Sequence, residues 1–78
     1  MTVITKNQMK AKVDELAGYG DLSVSVEGLI AQPNFLALAQ TGGGFYRAQF
    51  GQAEAQAKDP LEALSIAFLK DKGFEVVE

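Results

Sequence analysis

Apolar and polar positions along this chain change rhythm several times, and each rhythm predicts an element. Met9, Val13, Leu16 and Ala17 recur at helical spacing, while Lys6, Lys10, Lys12 and Glu15 face away. Thr5 is a good N-cap, Gln8 completes a capping box, and Ile4 with Met9 fits a hydrophobic staple. Gly18 suits the C′ position, so a helix is expected over about 6–17. After a turn at Gly18-Tyr19-Gly20-Asp21, Leu22, Val24 and Val26 alternate with Ser23, Ser25 and Glu27. That period of two predicts a half-buried strand, extendable to Ala31 across a kink at Gly28.

Gln32-Pro33-Asn34 is turn chemistry, and Phe35 to Gln40 reads as a second strand. Gly42, Gly43 and Gly44 make the next turn, followed by a third strand from Phe45 to Phe50. Gly51-Gln52 bulges or reverses the chain before Ala53 to Ala57, the weakest ribbon because alanine is a poor strand former. Asp59 then caps a helix, with Pro60 at N1 and Glu62 at N3. Leu61, Leu64 and Phe68 line one side of it, and Ala63, Ile66, Ala67 and Leu69 widen the apolar face. Lys70 and Lys72 suit the helix dipole, and Gly73 can end the helix. Phe74-Glu75-Val76-Val77 fits a short edge strand. The expected class is α+β. One small domain over residues 1–78 is ordered as helix, antiparallel three- to four-stranded sheet and helix, with a short C-terminal strand.

Composition then removes most chemistry. The 78 residues sit near the lower limit for a single apolar core, and with 47% of them apolar the chain should fold. A core this small has little stability to spare, so association with a copy or a partner would help it. Without cysteine there are no disulfides and no thiol chemistry, which agrees with a reducing cytoplasm. Without histidine, the usual zinc sites, histidine bases and Ser/His/Asp triads are excluded. Met1-Thr2-Val3-Ile4-Thr5-Lys6 lacks a signal-peptide core, and no stretch approaches a membrane span. A cytoplasmic protein without cofactor or metal is expected.

The net charge of −3 disfavours direct binding to DNA or RNA, since the basic residues do not cluster as phosphate contacts require. An acidic surface can instead meet a basic one, including the nucleic-acid groove of another protein.

Each feature that looks like a site has a plainer explanation. Gly42 to Gly44 precede a strand and lack a following Gly-Lys-Ser/Thr, so a hairpin turn fits better than a phosphate cradle. Asp59 and Glu62 are spaced to share a metal, yet a helix start already accounts for both. Asp14 and Glu15 diverge on a helix and read as a solvated face. Ser23 and Ser25 have no base partner. Recognition is best placed on Phe45-Tyr46-Arg47-Ala48-Gln49-Phe50. Arg47 is the only arginine, and Tyr and Arg bury large area while still hydrogen-bonding. If Tyr46 and Phe50 face the core, Arg47 and Gln49 are displayed with Phe45 beside them.

The order helix, strands, helix resembles a double-stranded RNA-binding domain. Such domains carry a lysine cluster at the second helix, where this chain has the acidic Lys58-Asp59-Pro60-Leu61-Glu62, so RNA binding does not carry over. Gly44 to Phe68, with Tyr46 on a strand and Asp59-Pro60-Leu61-Glu62-Ala63-Leu64 opening a helix, resembles the strand–helix part of HicB-type antitoxins. The proline-containing strand connection of that family is missing. At the level of class, a small acidic cysteine-free domain resembles phage-encoded accessory proteins, including anti-CRISPR inhibitors. That resemblance implies a non-catalytic inhibitor that binds a host nucleic-acid-handling complex. Asp21, Glu27 and Glu54 would face its basic grooves, and Tyr46 or Arg47, with Gln49, would anchor the contact. The alternative is a homo-oligomeric, antitoxin-like module that dimerises through a sheet edge or the second helix. An enzyme is a distant third.

Overall fold

In chain order the described residues form β1 (Thr2–Thr5), α1 (Lys6–Ala17), α2 (Val26–Ile30), β2 (Phe35–Gln40), β3 (Tyr46–Phe50), β4 (Ala53–Ala57), α3 (Pro60–Asp71) and β5 (Phe74–Val77). The structure, a computed structural model, describes residues 2–17 and 26–77. β2, β3 and β4 make an antiparallel sheet in that order. β1 pairs in parallel with β5, Thr2 opposite Phe74 and Thr5 opposite Val77. The class is α+β.

α3 organises the rest. Asp59 is extended at φ −110°, its carboxylate accepts the Glu62 N–H at 3.3 Å, and Pro60 opens the helix. Gly73, at φ 93°, follows its end and donates its N–H to the Lys70 carbonyl. Ala63, Leu64, Ser65, Ala67, Phe68 and Leu69 are all buried. A helix apolar over so much of its circumference needs cover on several sides. β3 and β4 cover one flank, while α1, α2 and β5 pack on the others. Phe35, Phe50 and Phe68 form an edge-to-face ladder, each successive pair with ring centroids 5.6 Å apart, which locks sheet to helix.

α1 covers residues 6–17 as its start signals predict, with the Gln8 side chain accepting the Thr5 N–H at 3.0 Å. Val13 is fully buried and Met9 packs on the core, but Leu16 is exposed. Lys6 reaches across to Glu62 at 2.7 Å, so the N3 carboxylate of α3 also ties α1 in place. Asp14 departs from the expected solvated face. It is half-buried, and its Oδ1 has neither solvent nor a described hydrogen-bond partner.

Two elements correct the expectation from sequence. Val26 to Ile30 is a helix and not the continuation of a strand to Ala31. Leu29 is fully buried and Val26 packs on the core, an i, i+3 pair facing α3, which outweighs alternation over so short a run. The rest of the expected strand, Leu22 to Ser25, lies outside the described residues, as does Gly18. β1 is the second correction. Thr2-Val3-Ile4-Thr5 is a β-branched run that pairs with β5, giving that C-terminal strand a partner outside the main sheet. No helix among the described residues is long and apolar enough to cross a membrane.

Candidate functional site

Strand alternation sorts the sheet into two faces. On β3, Ala48 and Phe50 point inward and are completely buried, and Tyr46 is half-buried against the same core. Arg47 and Gln49 point the other way. Register carries this across the sheet. Gln49 lies opposite Ala37 and Glu54, and Arg47 opposite Ala39 and Gln56. The outer face is therefore built from Ala37, Ala39, Arg47, Gln49, Glu54 and Gln56. No described element lies over it, the helices packing on the inner side.

Arg47 and Glu54 meet diagonally across β3 and β4, with Nε 2.6 Å from Oε1. Both side chains remain about half exposed, at 52% and 45%. The Gln49 side-chain amide donates to the Gly51 carbonyl at 3.4 Å, a contact within its own turn. Lys58 sits over the ring of Phe45, which is partly exposed at the edge of this face. A shallow, open depression of about 300 Å³ runs between Arg47, Glu54, Ala55 and Gln56.

Of the residues singled out by sequence, the fold brings together Arg47, Gln49 and Glu54. Tyr46 is on the opposite face, opposite Gln40 and Ala57, and contributes to packing. Glu27 is exposed in the first turn of α2, remote in sequence and element from the sheet, and not on a strand. Asp21 lies outside the described residues. Gln56 belongs to the face and was missed. The alternation of Ala53-Glu54-Ala55-Gln56-Ala57 would have found it, since Glu54 and Gln56 share one side.

Among the described residues no three His, Cys, Asp or Glu side chains are arranged to hold a metal ion. The Asp59 carboxylate is engaged as a cap and Glu62 by Lys6. A second polar knot sits where the turn after β3 meets the end of α3. Asn34 Nδ2 donates to Asp71 Oδ2 at 2.9 Å, and the Gly51 N–H donates to the Asn34 carbonyl at 2.9 Å. Gly51 has φ 57°, and a Cβ there would stand 2.5 Å from Asp71 Oδ1. This knot explains a glycine and an aspartate as structure, not chemistry. Comparison with family models, curated proteins and solved structures returns no match.

Proposed function

We propose that this chain is a non-catalytic protein-binding module, a phage-type accessory protein or anti-CRISPR-like inhibitor. Its working surface is the outer face of β2–β3–β4, and its partner is a host complex that handles nucleic acid. The observation that carries the reading is the uncovered face itself, with Arg47, Gln49, Glu54 and Gln56 on a three-stranded scaffold backed by α3.

The ion pair at its centre suits exchange. An exposed pair contributes only about 0–1 kcal/mol, so opening it costs little. Glu54 can then meet a lysine or arginine of a basic groove while Arg47 engages a carboxylate or carbonyl. A net charge of −3 favours encounter with a basic surface and disfavours a direct approach to phosphates. Gln49 and Gln56 supply neutral donors and acceptors around the pair.

The test is binding of the purified chain to CRISPR effector complexes, paired with an interference assay in cells. The reading expects a stable complex, loss of interference, and a slower association rate for Glu54→Lys. No complex together with intact interference would overturn it.

A further inference from the structure

We propose that the free edge of β2 pairs with β2 of a second copy, antiparallel about a two-fold axis at Ala39. Two three-stranded sheets would thereby become one. The inference is independent of the host-complex reading above.

The backbone decides which groups are on offer. The Thr41 N–H donates to the Phe45 carbonyl at 2.7 Å, so Thr41 turns its backbone toward β3. Antiparallel alternation makes Ala39 and Ala37 do the same, with Arg47 and Gln49 as register partners. Leu38 and Gln40 then direct their N–H and C=O groups to the opposite side, where no described strand pairs with them.

The edge also lacks the usual protection. Exposed edges are normally blunted by charge, proline, shortness or a bulge. Residues 28–46 contain no Asp, Glu, Lys or Arg, although the chain as a whole is acidic. Three large apolar side chains from this uncharged run are exposed, Ile30, Leu36 and Phe45, with Leu36 at 61%. The one device present is a bulge between Phe35 and Ala37, which leaves residues 37 to 40 in regular register. The other edges differ. On β4 the Glu54 carbonyl accepts from Lys70 Nζ at 3.4 Å, and Glu54 carries charge. β1 and β5 are four-residue strands, β1 running straight into Lys6 and β5 carrying Glu75.

A second copy is the occupant that fits these facts. Two acidic molecules repel unless they meet where neither is charged, and β2 is such a place. β2 is also an extended uncharged strand already, so each copy supplies both the edge and the strand that the edge requires. With Ala39 on the axis, Leu38 of one copy exchanges both backbone hydrogen bonds with Gln40 of the other, and the reverse pair does likewise. Ala39 faces its counterpart in a non-hydrogen-bonded position, where Cα atoms approach to about 4.5 Å. Its small, exposed side chain allows that approach.

This register is testable because the chain has no cysteine. A separation of about 4.5 Å lies within the roughly 4.4–6.8 Å that a disulfide spans. Ala39→Cys should therefore cross-link into a covalent dimer under mild oxidation, while Gln56→Cys on the outer face of β4 should not. Light scattering of the unmodified chain should give the dimer mass in the micromolar range, with a Tm that rises with concentration. Ala39→Glu places like charges opposite each other and should yield a monomer with an unchanged far-ultraviolet circular dichroism spectrum. A monomeric chain whose Ala39→Cys variant cross-links no faster than Gln56→Cys overturns the proposal. So does a dimer whose Ala39→Cys variant fails to cross-link, since the copies would then meet elsewhere. A monomer that instead takes up an extended peptide of foreign sequence on β2 overturns it too.

Discussion

β2 and β3 are neighbours in one sheet, yet β3 buries Ala48 and Phe50 completely while β2 only half-buries Phe35 and Leu38. Composition does not explain this, because β2, Phe35-Leu36-Ala37-Leu38-Ala39-Gln40, is the more apolar of the two. Position explains it. α3 lies across β3 and β4 and reaches β2 only marginally, so apolar content on β3 becomes core, whereas on β2 Phe35 and Leu38 reach the core only in part and Leu36 stays at the surface. Burial in this small domain follows from where its most deeply buried helix, α3, is seated. The apolar surface left on β2 remains available to another molecule.

The strongest way to break this contrast is a pair of truncations. Phe50→Ala removes the middle ring of the Phe35–Phe50–Phe68 ladder and should cost about 3–5 kcal/mol. Leu36→Ser on the exposed part of β2 should stay within about 0.5 kcal/mol of the parent. Urea denaturation of both variants checks it. If the two substitutions cost the same, the contrast between the strands is wrong.

That contrast was only half legible in the sequence. Alternation in Phe45 to Phe50 correctly separates Ala48 and Phe50 from Arg47 and Gln49, because a strand's two faces are a local property. The cap at Asp59, the proline at N1 and Gly73 are local too, and α3 falls where they put it. What failed needed distant partners. β1 is strand because β5, at the far end of the chain, accepts it in parallel, and Thr5 also served as a helix signal that masked it. Val26 fits both a period of two and a helical i, i+3 pair, and only the burial of Leu29 against α3 decides between them. The Arg47–Glu54 contact required the register set by the Gly51-Gln52 turn, and the half-burial of Asp14 required its tertiary surroundings.

The two turns that flank β3 offer a second, smaller contrast. Gly51 has φ 57° and no room for a Cβ beside Asp71, whereas Gly42 has nothing within 4 Å and no positive φ. Gly51→Ala should cost about 1–3 kcal/mol from backbone strain, with additional loss through the displaced Asp71. Gly42→Ala should be neutral, or stabilising by up to about 1 kcal/mol through the unfolded chain. Thermal melts of the two variants test it. Adding Asp71→Ala to Gly51→Ala should recover the steric part and leave the strain.

Loosening α3 from its start should follow in size. Asp59→Ala removes the acceptor for the Glu62 N–H and should cost about 1 kcal/mol. Because α3 backs β3 far more than β2, hydrogen exchange should rise along β3 and β4 more than at the Ala37 and Ala39 amides, which face β3. Equal acceleration of both sets would mean that β2 depends on α3 as much as β3 does.

The smallest effect concerns the pair proposed to open on binding. With Arg47 and Glu54 each about half exposed, solvent and salt screen their attraction, so a close distance does not imply a strong bond. A double-mutant cycle with Arg47→Ala and Glu54→Ala should give a coupling of about 1 kcal/mol or less, shrinking further in molar salt. Each single variant should keep the stability of the fold, since neither side chain belongs to the core. The binding role makes the opposite demand on the same residues. If the outer face engages a partner, either truncation should weaken that complex by more than it weakens the fold. A coupling well above 1 kcal/mol would mean that the two charges are committed to each other. In that case the face would be held together by its ion pair, and the neutral edge of β2 would be the better place to look for a partner.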